Sequence, residues 1–206
     1  MSALPTPPHG PVKPGLGYVD AQLTKVVLPT IEFWRKLGIT PNGLTTIGLV
    51  CSIGALVAVY LVLFKGASVG TGVIAVVLTF LRCYFDYADG LMARTYDMST
   101  KIGGWYDHTV DTCYALVLAV LVGRYNWRLL LILVPLYITT AFNIGCVEKR
   151  YNGLKDTSLS AVTQMCPIDS KLETLFRVFD NGVLYLVIAV IVMCVAYSGN
   201  SKKVMN

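Results

Sequence analysis

Apolar residues gather in five long runs separated by short polar stretches: Leu44 to Phe64, Thr71 to about Ala93, Trp105 to Val122, Trp127 to Cys146 and Val183 to Tyr197. As helices, runs of this order cross a hydrocarbon core of about 30 Å, so the pattern predicts five transmembrane helices. Between Glu148 and Arg177 no run is long enough to cross. A sixth helix there must be short or interfacial.

Two amphipathic segments flank the runs. Leu23, Val26, Val27, Trp34 and Leu37 recur near helical spacing among Lys25, Glu32, Arg35 and Lys36, with Pro29 breaking the segment in two. Such a segment either lies in the headgroup layer or packs on the end of the bundle. Gly38 and Pro41-Asn42-Gly43 turn the chain into the first run. Leu172, Leu175, Phe176 and Phe179 form a second stripe, after which Asp180-Asn181-Gly182 either breaks the helix or is carried through it. The expected fold is an all-α integral membrane bundle of five to six transmembrane helices with an N-terminal interfacial amphipathic helix. Residues 1–16 read as a flexible Pro-rich tail, 17–198 as one transmembrane domain and 199–206 as a polar C-terminal tail.

Composition agrees, at 55% hydrophobic and 14% charged with a mean hydropathy of +0.62. Soluble domains are about a quarter charged. The first apolar run begins at Leu44, behind a Pro-rich start, so no cleavable signal peptide is expected. The net charge of +5 does not imply nucleic acid, because the basic residues fall between the runs. Ten of them, including Lys13, Lys101, Lys149, Arg150 and Lys155, collect on one side and five on the other. The positive-inside rule makes the first side cytoplasmic, with the N-terminus in and the C-terminus out. Six cysteines without C-x-x-C spacing read as buried free thiols.

The chemistry concentrates in Asp86, Asp89, Gly90, Ala93 and Arg94, continued by Gly103, Asp107 and Asp111. At about 100° per residue the first five share one side of a helix, and the last three, spaced i, i+4, i+8, share a face of the next. With only Thr95 to Ile102 between them, the two helices are expected as antiparallel neighbours whose carboxylates converge. An unpaired carboxylate at mid-bilayer costs about 2.5–3.5 kcal/mol, so four together require cations. Carboxylates are hard ligands suited to Mg²⁺ or Mn²⁺, and two such ions balance the charge and can hold a diphosphate. Gly90, Ala93 and Gly103 leave room for a nucleotide, or serve tight helix packing. Arg94 can grip phosphate oxygens.

This order of residues, eight identities over 26 positions from Asp86 to Asp111, resembles the signature of the CDP-alcohol phosphotransferases. Pro41-Asn42 followed by Thr45 or Thr46 resembles that family's entry to its first span. The resemblance implies a phospholipid-synthesis enzyme that transfers a substituted phosphate from a CDP-linked donor to an alcohol and releases CMP. It implies that Asp86, Asp89, Asp107 and Asp111 bind two Mg²⁺ or Mn²⁺ ions, that Asp111 also acts as general base, and that Gly90, Ala93, Arg94 and Gly103 contact CDP. It further implies six spans, a homodimer in the lipid membrane and, in a eukaryote, the endoplasmic reticulum.

Both directions of this chemistry fit: CDP-diacylglycerol donating to a small alcohol, favoured by the chain length, and CDP-choline or CDP-ethanolamine donating to diacylglycerol, suggested by Asp107-His108. A carboxylate-lined cation or proton transporter is the rival of another class. His108 is expected to make an interhelical hydrogen bond, Arg82 and Asp97 ordinary salt-bridge or headgroup contacts. Lys149, Arg150 and Lys155 are candidate contacts to a phosphorylated acceptor, although topology alone accounts for them.

Overall fold

The computed structural model describes residues 12–152, 160–166 and 169–204, and every regular element among them is helical. In chain order these are α1 (Tyr18–Val27), α2 (Ile31–Lys36), α3 (Pro41–Lys65), α4 (Val69–Thr95), α5 (Lys101–Tyr125), α6 (Leu130–Asn152), α7 (Ser160–Met165), α8 (Lys171–Val178) and α9 (Asn181–Val204). The stretch between the second stripe and the last run does break at Asp180, and between α6 and α9 the described residues form the two short helices α7 and α8.

Local chemistry sets the boundaries of the long helices. Thr40, Ser68 and Thr100 cap α3, α4 and α5, each hydroxyl accepting from the backbone N–H three residues on. Pro41 occupies the first position of α3, where no N–H is needed, and Gly66 ends that helix at φ +57°, a left-handed conformation that favours glycine.

Pro41–Lys65, Val69–Thr95, Trp127–Tyr151 and Asn181–Ser198 are long and apolar enough to cross a membrane, which makes the chain a multi-pass membrane protein. The remaining expected span falls on α5, which has 25 residues but not the same apolarity. Trp105, Tyr106, Asp107, His108 and Asp111 in its first half account for the difference.

α3 is the spine of the bundle and packs along both α4 and α5. Ala55, Ala58, Val59 and Val62 of α3 join Ala75 and Cys83 of α4, Leu118 and Val122 of α5, and Ile188 and Val192 of α9 in one buried cluster. A second cluster, Val27, Ile31, Leu44, Phe85, Ala88, Leu91 and Met92, holds α1 and α2 to the carboxylate end. Trp34 Nε1 donates to the Tyr84 hydroxyl at 2.8 Å, which donates to Thr30 Oγ1 at 2.6 Å. The amphipathic segment is thus packed on the bundle's end, broken as expected by a single 3₁₀ turn at Leu28–Thr30.

The start of α1 and the start of α9 cap one another. Asp180, fully buried, accepts from Val19 N at 2.7 Å and Asp20 N at 3.0 Å through Oδ2, and from Val183 N at 3.1 Å through Oδ1. Asp20 returns the contact, its Oδ1 accepting from Gly182 N at 2.9 Å. The close approach needs Gly17, where a Cβ would lie 2.1 Å from the Asp180 Cβ. Just upstream, Lys13 donates to Glu148 and the Leu16 carbonyl accepts from Arg177 Nε at 3.2 Å. The described end of the 1–16 segment therefore lies against the bundle rather than apart from it.

The cysteines depart from the expectation of buried free thiols in two ways, since two of them are bonded and Cys113 and Cys194 are exposed. Cys146 and Cys166 form a disulfide with their Cα atoms 5.2 Å apart, tying α6 to the residue after α7, while Cys51, Cys83, Cys113 and Cys194 are free. The pair is 20 residues apart in sequence and is brought together only by the α6–α7 packing.

Asp180→Ala removes acceptors from two buried helix starts and should destabilise the protein by about 2–4 kcal/mol. Gly17→Ala should act in the same direction, whereas Gly104→Ala, which has open space at its Cβ, should not move the thermal midpoint in mild detergent. Burial, then repulsion from Asp180, pushes the Asp20 carboxyl up to about 6. From about pH 4 to 6 the folded protein then keeps a proton that the unfolded chain, near pKa 3.9, releases, so stability falls as pH rises by about 2 kcal/mol. Asp20→Asn should gain on the unaltered protein across that window; a midpoint difference independent of pH would rule the argument out.

Candidate active site

The cap at Thr100 sets the register of α5 so that Gly103, Asp107 and Asp111 fall on the side facing α4. One carboxylate oxygen each from Asp86, Asp107 and Asp111 lies within 4.8 Å of the others. Asp89 stands beside them, buried, its Oδ2 accepting from the Thr45 hydroxyl at 2.6 Å. All four carboxylates, with Thr45 and Arg82, line one niche of about 10 Å³. That is space for a single species of water size or smaller. The predicted convergence is present, although α4 and α5 are not close-packed neighbours. Both lean on α3, and the carboxylates meet across the space between them.

The donors are all hard oxygens gathered within 4.8 Å of one another, the type and grouping that a small divalent cation with bonds of about 2.1 Å takes. These residues fit a small divalent cation. The neighbouring protein cation is Arg82, which is 3% exposed and donates to both Asp111 and the Tyr185 hydroxyl. Its guanidinium lies 4.4 Å from the Tyr114 ring centroid and 5.2 Å from that of Tyr185. The expected salt-bridge role of Arg82 is therefore met, with a member of the carboxylate cluster as partner.

The niche opens into a cavity of about 670 Å³. At its polar end are Lys13, Asp20, Asn42, Arg94, His108 and Glu148; beyond the carboxylates it runs as an apolar slot past Leu116, Leu133, Val134, Ile138 and Ile188. Among the described residues two buried polar atoms lack a partner, Arg82 Nε and Asn143 Nδ2, and both side chains line this cavity. The room at Gly90 is taken by Arg94, whose Nη1 would lie 3.0 Å from an added Cβ. The room at Gly103 admits Asn42, whose Oδ1 would lie 2.8 Å from one. Gly90, Ala93, Arg94 and Gly103 all border the cavity.

The candidate acceptor contacts are placed elsewhere. Arg150 forms a two-pronged pair with Glu173, 2.8 Å in each arm, and meets Asp169 at 2.7 Å. Lys149 donates to the Cys166 carbonyl at 2.9 Å. Neither lines the cavity, because both side chains are drawn to the α7–α8 side of α6, and Lys155 lies outside the described residues. Lys13 and Glu148 border it instead. Sequence reasoning passed over them because each is an isolated charge in a polar stretch, and 135 residues separate them. Thr45 was within reach, since it stands one helical turn after Pro41.

Carboxylates, an arginine and small residues around one cavity of a membrane bundle are the parts that a phosphoryl-group transferase uses. Residues 38–199 match the sequence model of the CDP-alcohol phosphatidyltransferase family, and the chain belongs to that family. It is a transferase of substituted phosphate groups that acts in phospholipid biosynthesis, with a CDP-alcohol as donor and an alcohol as acceptor. No curated protein matches the chain. Membership displaces the transporter reading.

Mn²⁺ or Mg²⁺ should raise the thermal midpoint by mass action, and EDTA should reverse it. Asp107→Asn should abolish that rise and Lys149→Gln should leave it; an equal rise in Asp107→Asn would remove the cluster from consideration as the metal site.

Proposed function

We propose that the chain transfers a phosphatidyl group from CDP-diacylglycerol to a small alcohol. The observation that carries this is the continuity of the cavity, polar and carboxylate-lined at one end and an apolar slot between α5, α6 and α9 at the other. A donor with a charged diphosphate and two acyl chains matches both ends. His108, which borders the cavity beside Asp107, supports the second reading, transfer from CDP-choline or CDP-ethanolamine to diacylglycerol.

In this mechanism Asp86, Asp89, Asp107 and Asp111 would hold Mg²⁺ or Mn²⁺; four carboxylates call for two ions by charge, of which the niche has room for one and the cavity it opens into for the other. When bound, the metal supplies positive charge to the phosphate oxygens of the donor. Arg94 grips those oxygens, with Gly90, Ala93 and Gly103 keeping the floor of the CDP site low. Asp111, held in place by Arg82, takes the proton of the acceptor hydroxyl. The hydroxyl oxygen forms the new bond to phosphorus as the bond to the CMP oxygen breaks. An ion-paired carboxylate is a weak base, so positioning supplies much of the rate.

The cavity's polar end is read as cytoplasmic on the ten basic residues against five. The Cys146–Cys166 bridge near that end weighs the other way, since cytoplasmic thiols are kept reduced. The charge distribution is the broader signal. A homodimer follows from the family resemblance.

The test offers each CDP donor with a panel of alcohols to the protein in membranes and reads CMP release with Mg²⁺, Mn²⁺ or EDTA. Metal-dependent CMP from CDP-diacylglycerol is expected; none from any donor would refute the proposal, and CMP from CDP-choline alone would select the second reading. Asp111→Asn should keep donor binding and lose at least about 100-fold in turnover.

A further inference from the structure

At the polar end of the cavity sits an ion pair that the transfer step does not use. Lys13, in the segment before α1, donates to Oε1 of Glu148 on α6, and their side chains are 21% and 15% exposed. Lys13 also lies 5.9 Å from the Tyr151 ring centroid, and burial pulls its ammonium below its usual range in spite of Glu148. Arg94 borders the same space, within electrostatic reach of both Glu148 and Lys13.

A carboxylate paired with an ammonium and within electrostatic reach of a guanidinium presents anionic oxygens to the two kinds of cation that hold phosphate, a compact point charge and a planar fork. The segment that carries Lys13 does not depend on the pair for its place. The Leu16 carbonyl is held by Arg177, and Val19 N and Asp20 N by Asp180. Lys13 can therefore exchange partners while the backbone on either side of the cap stays fixed.

We propose that Glu148 holds the place of a substrate phosphate in the resting protein, and that Lys13 is a phosphate ligand which leaves Glu148 for the CDP-linked donor. This rests on the reading of the chain as using CDP-diacylglycerol. Glu148 is then a built-in competitor for the cation the donor needs, and the two partners of one ion pair have opposite effects on donor affinity.

The test measures the dissociation constant of CDP-diacylglycerol with Mn²⁺ for the protein in nanodiscs. Lys13→Gln should weaken binding about tenfold, the size of one lost charge-assisted contact, and Lys13→Arg should restore most of it. Glu148→Gln should tighten binding severalfold, a gain that misfolding does not produce. In the double variant that gain should vanish, because it acts through Lys13. A purely structural pair gives the opposite pattern, both single variants weakening binding and the double no worse than either, and this result overturns the proposal. So does a Glu148→Gln gain that persists without Lys13, which marks general repulsion. Donor binding in the unaltered protein keeps the transferase reading intact in either case; its absence overturns both.

Discussion

Four carboxylates gathered at one end of a helical bundle, Asp89 buried and the other three half-buried, with Arg82 ion-paired to Asp111, are the constraint around which the rest of the chain is arranged. Close-packing α4 on α5 would bring like charges together in a poor dielectric. The fold keeps the two helices apart, braces each on α3, and turns the space between them into a cavity. Thr45 on the spine donates to Asp89, and Arg82 answers Asp111. Arg82 alone does not balance four acids.

The second constraint lies at the polar end of the cavity, which residues far apart in sequence border, among them Leu16, Asp20 and Asn181. Asp180 and Asp20 satisfy the opening N–H groups of each other's helices, so the start of the fold and the start of its last helix are set as one unit. Each carboxylate spends its acceptors on backbone donors that would otherwise be orphaned at a buried helix start. Gly17 and Gly182 are required by this approach: a Cβ at Gly182 would lie 2.4 Å from Val19 Cγ1.

What could be read from the sequence was whatever repeats at helical spacing. Asp107 and Asp111 at i, i+4, and Asp86 beside them, are legible because one helix face decides where they point. The apolar runs, the break at Pro29 and the break at Asp180 are local in the same sense. The α5 span was overcounted in apolarity because a run shows the length of a helix more plainly than the cost of polar residues inside it. Lys149 and Arg150 were candidates on charge alone, and the sequence holds no sign that α6 turns them toward Cys166 and Glu173. Lys13 with Glu148, Arg82 with Asp111, and Cys146 with Cys166 are meetings between elements, fixed by packing and invisible to periodicity.

Arg82 also explains why the last helix belongs to the site although it brings no metal ligand. Its guanidinium lies over the rings of Tyr114 of α5 and Tyr185 of α9, and it donates to both Asp111 and the Tyr185 hydroxyl. Tyr185 stands five residues after Asp180, so the helix that orients Arg82 is the one whose start is fixed by the N-terminal segment. Asp111 thus takes its position from a chain of contacts that begins at Val19 and Asp20. Arginine is suited to this place, because a buried lysine would offer a point charge with no plane to lay against a ring and no fork to divide between two acceptors. The N-terminal segment, which contains none of the signature residues, is by this packing part of what aims the candidate base.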